Sequence, residues 1–112
     1  MQVNEIMNKS VVSVSPSETA SFAARLLNRH NIGSVPVCSA DGRLHGMLTD
    51  RDIALRCVAA DSDPRSTSVQ DIMSRNIAYI APNDDVTSAA NLMAQRQVRR
   101  LPVVENDKLV GI

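Results

Sequence analysis

The chain has 112 residues, and its 12 Lys and Arg are balanced by 12 Asp and Glu for a formal net charge of zero, so the basic footprint of a nucleic-acid binder is missing. With Phe22 and Tyr79 as the only aromatics, stacking of extended single strands is disfavoured too. Apolar runs are short and the N-terminus lacks the charged and apolar regions of a signal peptide, so the chain reads as cytoplasmic, not membrane-bound, with Cys38 and Cys57 as reduced thiols buried in a strand and a helix.

In chain order, the β-branched run at residues 11–14 predicts a strand, punctuated by Ser15 and Pro16. Ala23, Ala24, Leu26 and Leu27 give the stripe of a helix over 20–29, with Thr19 placed to cap it. Residues 35–38 and 44–48 read as strands joined through Asp41 and Gly42, and a second helix follows over 50–60. Residues 61–68 are polar, contain Pro64 and lack periodicity, as a linker does. Beyond it the order is replayed: a short turn at 69–73, a strand at 77–80, a helix over 86–96, and strands at 101–104 and 109–112.

The replay is a duplication. At an offset of 66, Val3, Ile6, Met7, Pro16, Ala23, Ala24, Leu26, Pro36 and Val37 recur as Val69, Ile72, Met73, Pro82, Ala89, Ala90, Leu92, Pro102 and Val103; after a one-residue deletion Leu44 and Gly46 recur as Leu109 and Gly111. Asp85 stands where Thr19 stands and can make the same cap. A chain this short buries only about two thirds of its unfolded surface, so a stable core requires the halves to share it. The repeat is too long for the common solenoids, which points to two copies packed face to face about a pseudo-twofold axis with ligand sites between them. The expected units are a first repeat at 1–60, a linker at 61–68 and a second repeat at 69–112 that stops where a counterpart of 49–60 would begin. A protein ending there is expected to expose a hydrophobic groove, for a continuing chain or a partner to cover.

The most specific local signal is Gly46-Met47-Leu48-Thr49-Asp50-Arg51-Asp52-Ile53, where a strand ends and a helix starts. Thr49 and Asp52 have the spacing of a capping box. The same helix start offers free amides and a positive dipole end to a phosphate, and Asp52 could accept from a ribose diol. Both readings fit the local motif.

Glu5-Ile6-Met7 and Asp71-Ile72-Met73, Val35-Pro36-Val37 and Leu101-Pro102-Val103, and the Gly-x-x-Thr-x-x-Asp spacing ending at Asp52 together resemble the cystathionine β-synthase (CBS) domain pair, or Bateman module, over essentially the whole chain. Thr49-Asp50-Arg51-Asp52-Ile53 and Val98-Arg99-Arg100-Leu101-Pro102-Val103 look most like small bacterial proteins that are little besides a CBS pair. The resemblance implies an α/β (α+β) fold of two β-α-β-β-α repeats, the last helix of the second being absent, and an adenosyl-ligand sensor that requires no cofactor. ATP, ADP, AMP, S-adenosylmethionine or a dinucleotide would bind between the copies. Carried over by position, Thr49 is the phosphate-proximal hydroxyl and Asp52 the ribose-binding carboxylate. Val12, Val14, Val35 and Pro36 belong to the strands that line the base pocket, although valines at such positions equally suit a plain core. Arg99 and Arg100 would face the phosphates, a role for which the planar guanidinium fork is suited. Gly33 and Ser34 stand at their places in the first copy, so the clefts are inequivalent. With the second copy's motif cut off after Ile112, one nucleotide is expected near Thr49 and Asp52, and weak or no binding at the second cleft.

Catalysis is not expected: no triad, metal-spaced cluster or Walker-type loop is visible, and His30 and His45 stand alone. The alternatives are a structural dimerisation module with vestigial clefts, and a regulatory fragment of a larger enzyme, transporter or channel. CBS pairs generally dimerise, so a homodimer is expected.

Overall fold

The computed structural model describes residues 1–112. A 3-10 turn at Val3–Glu5 is followed by α1 (Ala20–His30), β1 (Ser34–Cys38), β2 (Leu44–Thr49), α2 (Asp50–Ile53), α3 (Val69–Ile72), α4 (Val86–Arg96), β3 (Val103–Glu105) and β4 (Lys108–Gly111). The result is a mixed α/β fold, as expected. Both long helices carry the expected caps: the Thr19 hydroxyl accepts from the Phe22 amide and the Asp85 carboxylate from the Thr87 amide. Both end on a left-handed residue, Asn31 and Gln97. β1 and β2 form an antiparallel hairpin with Ser34 opposite Thr49, and β3 and β4 form its counterpart with Val103 opposite Gly111.

Three local expectations change. The strands expected at 11–14 and 77–80 shrink to single parallel bridges, Val14 to Val37 and Ile80 to Val103. The cause is proline: the Val14 amide donates to the Pro36 carbonyl and Cys38 donates back. Extending that ladder either way would need an N–H from Pro16 or Pro36, which neither has. Pro82 and Pro102 impose the same limit on Ile80. The helix expected over 50–60 is α-helical only through Ile53; Ala54–Val58 widens to i→i+5 bonds, such as Ala59 N–H to the Ala54 carbonyl at 2.8 Å. The 69–73 turn is the single-turn helix α3. Residues 61–68 dock on the start of α1, where the carbonyls of Pro64 and Thr67 accept from the free amides of Ser21 and Ala20, each at 2.8 Å.

The repeats interleave. The Val69 and Gln70 amides donate to the Glu18 and Pro16 carbonyls, and Val3 and Asn4 donate to Asp84 and Pro82, an identical arrangement 66 residues apart. Each repeat therefore sends its opening segment into the other's core. Val69, Ile72 and Met73 join Val14, Ala23, Leu27, Val35, Val37 and Leu48 in one cluster, and Val3 joins Ile80, Ala89, Leu101 and Val103 in the other. Two-way backbone pairs close the exchange: Met47 with Ser74 at 3.0 and 2.9 Å, and Asn8 with Ile112 at 3.0 and 3.1 Å. At the pseudo-twofold axis, Arg43 bridges its own repeat equivalent Lys108.

The cores are unequal, with eleven buried residues in the first and five in the second. The first is covered by α2 and its extension, which contribute Cys57 and Ile53. No segment of this chain covers the same face of the second, so Ile6 is 60% exposed where its equivalent Ile72 is 3% exposed. The expected hydrophobic groove is present, lined by Val3, Ile6, Ile80, Ala89, Met93 and neighbours. No helix is long and apolar enough to cross a membrane.

The interleaving makes two glycines unequal in their tolerance of a methyl group. A Cβ on Gly46 would lie 2.5 Å from the Ser74 carbonyl oxygen, whereas on Gly111 it would meet the Met7 sulfur at 2.6 Å, at the end of a flexible side chain. Gly46→Ala is expected to destabilise the chain by about 1–3 kcal/mol in urea unfolding, and Gly111→Ala by clearly less; an equal or reversed order contradicts the packing described.

The Thr87 hydrogen bond holds the Asp85 carboxyl below its ordinary value of 3.8, and the N-terminal ammonium adds to this. The stabilisation this represents is present above that value and is lost as pH falls below it and through the depressed folded value. Asp85→Asn keeps a capping side chain but does not titrate. Its unfolding midpoint is expected to fall less than the wild type's between neutral pH and pH of about 3; identical losses would remove Asp85 from the acid response.

Candidate functional site

The largest cleft, about 710 Å³, opens between the repeats and is lined from both. That volume falls within the usual range of small-molecule sites. One wall is the 31–34 turn after α1, with Met47 and residues 49–51 at the β2 to α2 junction; the other is Ser74, residues 76–78, residues 96–100 at the end of α4, and Pro102. The junction is held by the Asp50 amide, which donates to the Gly33 carbonyl at 2.9 Å. Across the axis, Arg100 Nη1 donates to the carbonyl of Ser34, its own repeat equivalent, at 3.0 Å.

Of the residues singled out in the sequence, Thr49, Arg99 and Arg100 line this cleft. Asp52 does not; it lies behind the wall, 7% exposed. Its Oδ2 accepts from the Thr49 amide at 3.0 Å, and the Thr49 hydroxyl accepts from the Asp52 amide at 3.0 Å, so the capping box is formed. The Ser74 hydroxyl lies 3.1 Å from Asp52 Oδ1 and 3.3 Å from Oδ2, and Arg56 Nε is 3.9 Å from Oδ1. Arg56 also donates to the carbonyls of Ile72 and Met73. The carboxylate therefore ties α2 to the segment that arrives from the second repeat. Val14, Val35 and Pro36 are buried, and Val12 is half-buried against the first core. None of the four lines the cleft.

The cleft also contains residues the sequence reading passed over. Ser74 has no local motif, and only the interleaving brings it to Asp52. Arg51 and Arg96 read as ordinary exposed helix residues, yet the fold turns both toward the opening used by Arg99 and Arg100. Asp50 is the sole carboxylate on the lining, and its Oδ1 accepts from the Arg51 amide at 2.8 Å.

Elsewhere, the β1–β2 turn gathers Ser39, Asp41 and His45. His45 Nε2 lies 2.9 Å from the Ser39 hydroxyl, which in turn donates to Asp41 and helps hold that carboxyl below its usual value. The order is carboxylate, serine, histidine, so no acid orients the imidazole as nucleophile activation requires. No three His, Cys, Asp or Glu side chains are grouped as a metal site would need. Cys57 is buried, and half-burial of Cys38 raises its thiol pKa.

Comparison with known proteins gives the family. The CBS domain model matches residues 3–58 and again 69–112. The chain is 42% identical to hypoxic response protein 1 of Mycobacterium tuberculosis over 108 residues, covering 96% of this chain and 76% of the relative. It is 46% identical to the CBS domain-containing protein YhcV of Bacillus subtilis over 110 residues, covering 98% and 77%. A crystal structure of hypoxic response protein I with two coordinated zinc ions superposes with a TM-score of 0.90 at 40% identity, over 99% of this chain and 90% of that one. The CBS domain pair of protein MJ0100, in complex with 5′-methylthioadenosine and S-adenosyl-L-methionine, superposes at 0.84 with 27% identity, over 99% and 86%. Repeat, interleaved fold and relatives agree: the chain belongs to the CBS-domain family and consists of a tandem pair of CBS domains.

Proposed function

We propose that the chain is a cytoplasmic, non-catalytic sensor that binds an adenosyl ligand in the cleft between its repeats. The observation that carries this reading is the composition of that cleft, whose walls come from both repeats and meet through the Met47 and Ser74 backbone pair, with Arg100 to Ser34 and Ser74 to Asp52 as side-chain bonds across it. A ligand touching both walls favours one relative arrangement of the repeats, and that bias is the signal a sensor transmits. The adenosyl compounds bound by the MJ0100 pair support the ligand class.

In this reading Thr49 and the start of α2 meet the phosphate or its equivalent, and Arg99 and Arg100 face it from the other wall. The aliphatic residues Val12, Val14, Val35 and Pro36 form the backing of the base pocket. Asp52 takes the ribose hydroxyls by giving up part of its bond to Ser74, since both its oxygens are already engaged. Exposed Phe22, Leu55 and Val58 supply apolar helix surface for a homodimer.

Thermal unfolding with and without ATP, ADP, AMP and S-adenosylmethionine tests the ligand. A site filled at 100 times its dissociation constant adds about 2.7 kcal/mol, and a stabilisation of that order is expected with at least one of the four. No shift with any of them favours the dimerisation module with unused clefts. Asp52→Ala is expected to cost about 1–3 kcal/mol without ligand, from the lost cap and the unpaired Ser74, and to abolish the ligand-induced shift. An unchanged shift would remove Asp52 from the binding surface.

A further inference from the structure

We infer that the cleft is built for the polyphosphate chain of an adenine nucleotide and discriminates against cationic adenosyl compounds such as S-adenosylmethionine. The inference rests on the adenosyl reading above and narrows it. Four arginines, Arg51, Arg96, Arg99 and Arg100, share the lining with one carboxylate, Asp50, in a chain whose net charge is zero. The excess of positive charge is thus a property of this cleft and not of the surface at large.

The state of these side chains sharpens the point. Outside the cleft, Arg43, Arg56 and Arg65 form ion pairs with acidic side chains, Arg25 and Arg75 donate to oxygens of their neighbours, and Arg29 alone is unpaired. Arg51, Arg96 and Arg99 form neither ion pairs nor side-chain hydrogen bonds, and Arg100 has only the Ser34 carbonyl. Three unpaired guanidinium groups beside one opening repel one another, and a ligand carrying several negative charges relieves that repulsion while accepting charge-assisted bonds. A single phosphate engages part of this set; a di- or triphosphate can span it. A sulfonium and an ammonium group would add positive charge to a positive cleft. The arrangement is one-sided: Arg99 and Arg100 align with Gly33 and Ser34, and Arg96 with His30, so the second repeat supplies charge that the first does not.

Calorimetric titration of the whole chain with ATP, AMP, adenosine, S-adenosylmethionine and inorganic tripolyphosphate tests this. ATP is expected to bind at least tenfold tighter than adenosine or S-adenosylmethionine, with AMP between, and its affinity should fall as salt rises. Arg96→Gln and Arg99→Gln alter exposed, unpaired side chains, so the fold should be kept. Each is expected to weaken ATP roughly tenfold or more while leaving adenosine unchanged. S-adenosylmethionine or adenosine binding as tightly as ATP would overturn the inference and leave the adenosyl reading standing. Tripolyphosphate binding as tightly as ATP would instead overturn the adenosyl reading, since the base would then contribute nothing. No binding by any of the five overturns both.

Discussion

The two-bond pairing of Met47 with Ser74 is the contact on which the rest of the molecule depends. It fixes the opening segment of the second repeat against the last strand of the first, so closely that Gly46 has no room for a side chain. Its position brings the Ser74 hydroxyl to Asp52 and the carbonyls of Ile72 and Met73 to Arg56, locking the start of α2. With α2 fixed, Thr49 and Arg51 stand on one wall of the cleft and residues 96–100 on the other. Fold and site thus share one backbone register.

Duplication makes that register robust. Nearly every backbone bond between the repeats occurs twice, from Val69 to Glu18 and Val3 to Asp84 through the Arg43 and Lys108 bridge at the axis. A strand slip in one copy would have to be matched in the other, and a one-residue slip would turn the buried face outward. The asymmetries then stand out against a symmetric background. One core is capped by α2 and the other is open at Ile6 and Met93; one half of the cleft has Gly33 and Ser34 where the other has Arg99 and Arg100. Symmetry governs the backbone bonds, and the departures from it lie at the open core and along the cleft.

Much of this was legible in the residues. The helices at 20–30 and 86–96, their Thr19 and Asp85 caps, the two hairpins and the Thr49 and Asp52 capping box follow from local patterns, because short-range hydrogen bonding and helical periodicity leave a direct trace. The single-residue bridges at Val14 and Ile80 were written there too, in Pro16, Pro36, Pro82 and Pro102, but a β-branched run outweighed the missing N–H groups. The exchange of opening segments left no local trace. Val3, Ile6 and Met7 are identical to Val69, Ile72 and Met73, so either segment suits either core, and chain connectivity rather than residue type selects the partner. Ser74 and Arg51 were overlooked for the same reason: their neighbours in space are remote in sequence or belong to the other repeat.

Binding between the repeats, as opposed to on either one, is the central claim. Amide NMR of the chain titrated with ATP tests it most directly, because each residue reports for itself. A nucleotide in the cleft moves Gly33, Arg51, Ser74 and Arg99 together along one saturating curve, although they come from four separate segments. Saturable shifts confined to one repeat, or to the open groove around Ile6 and Met93, contradict it.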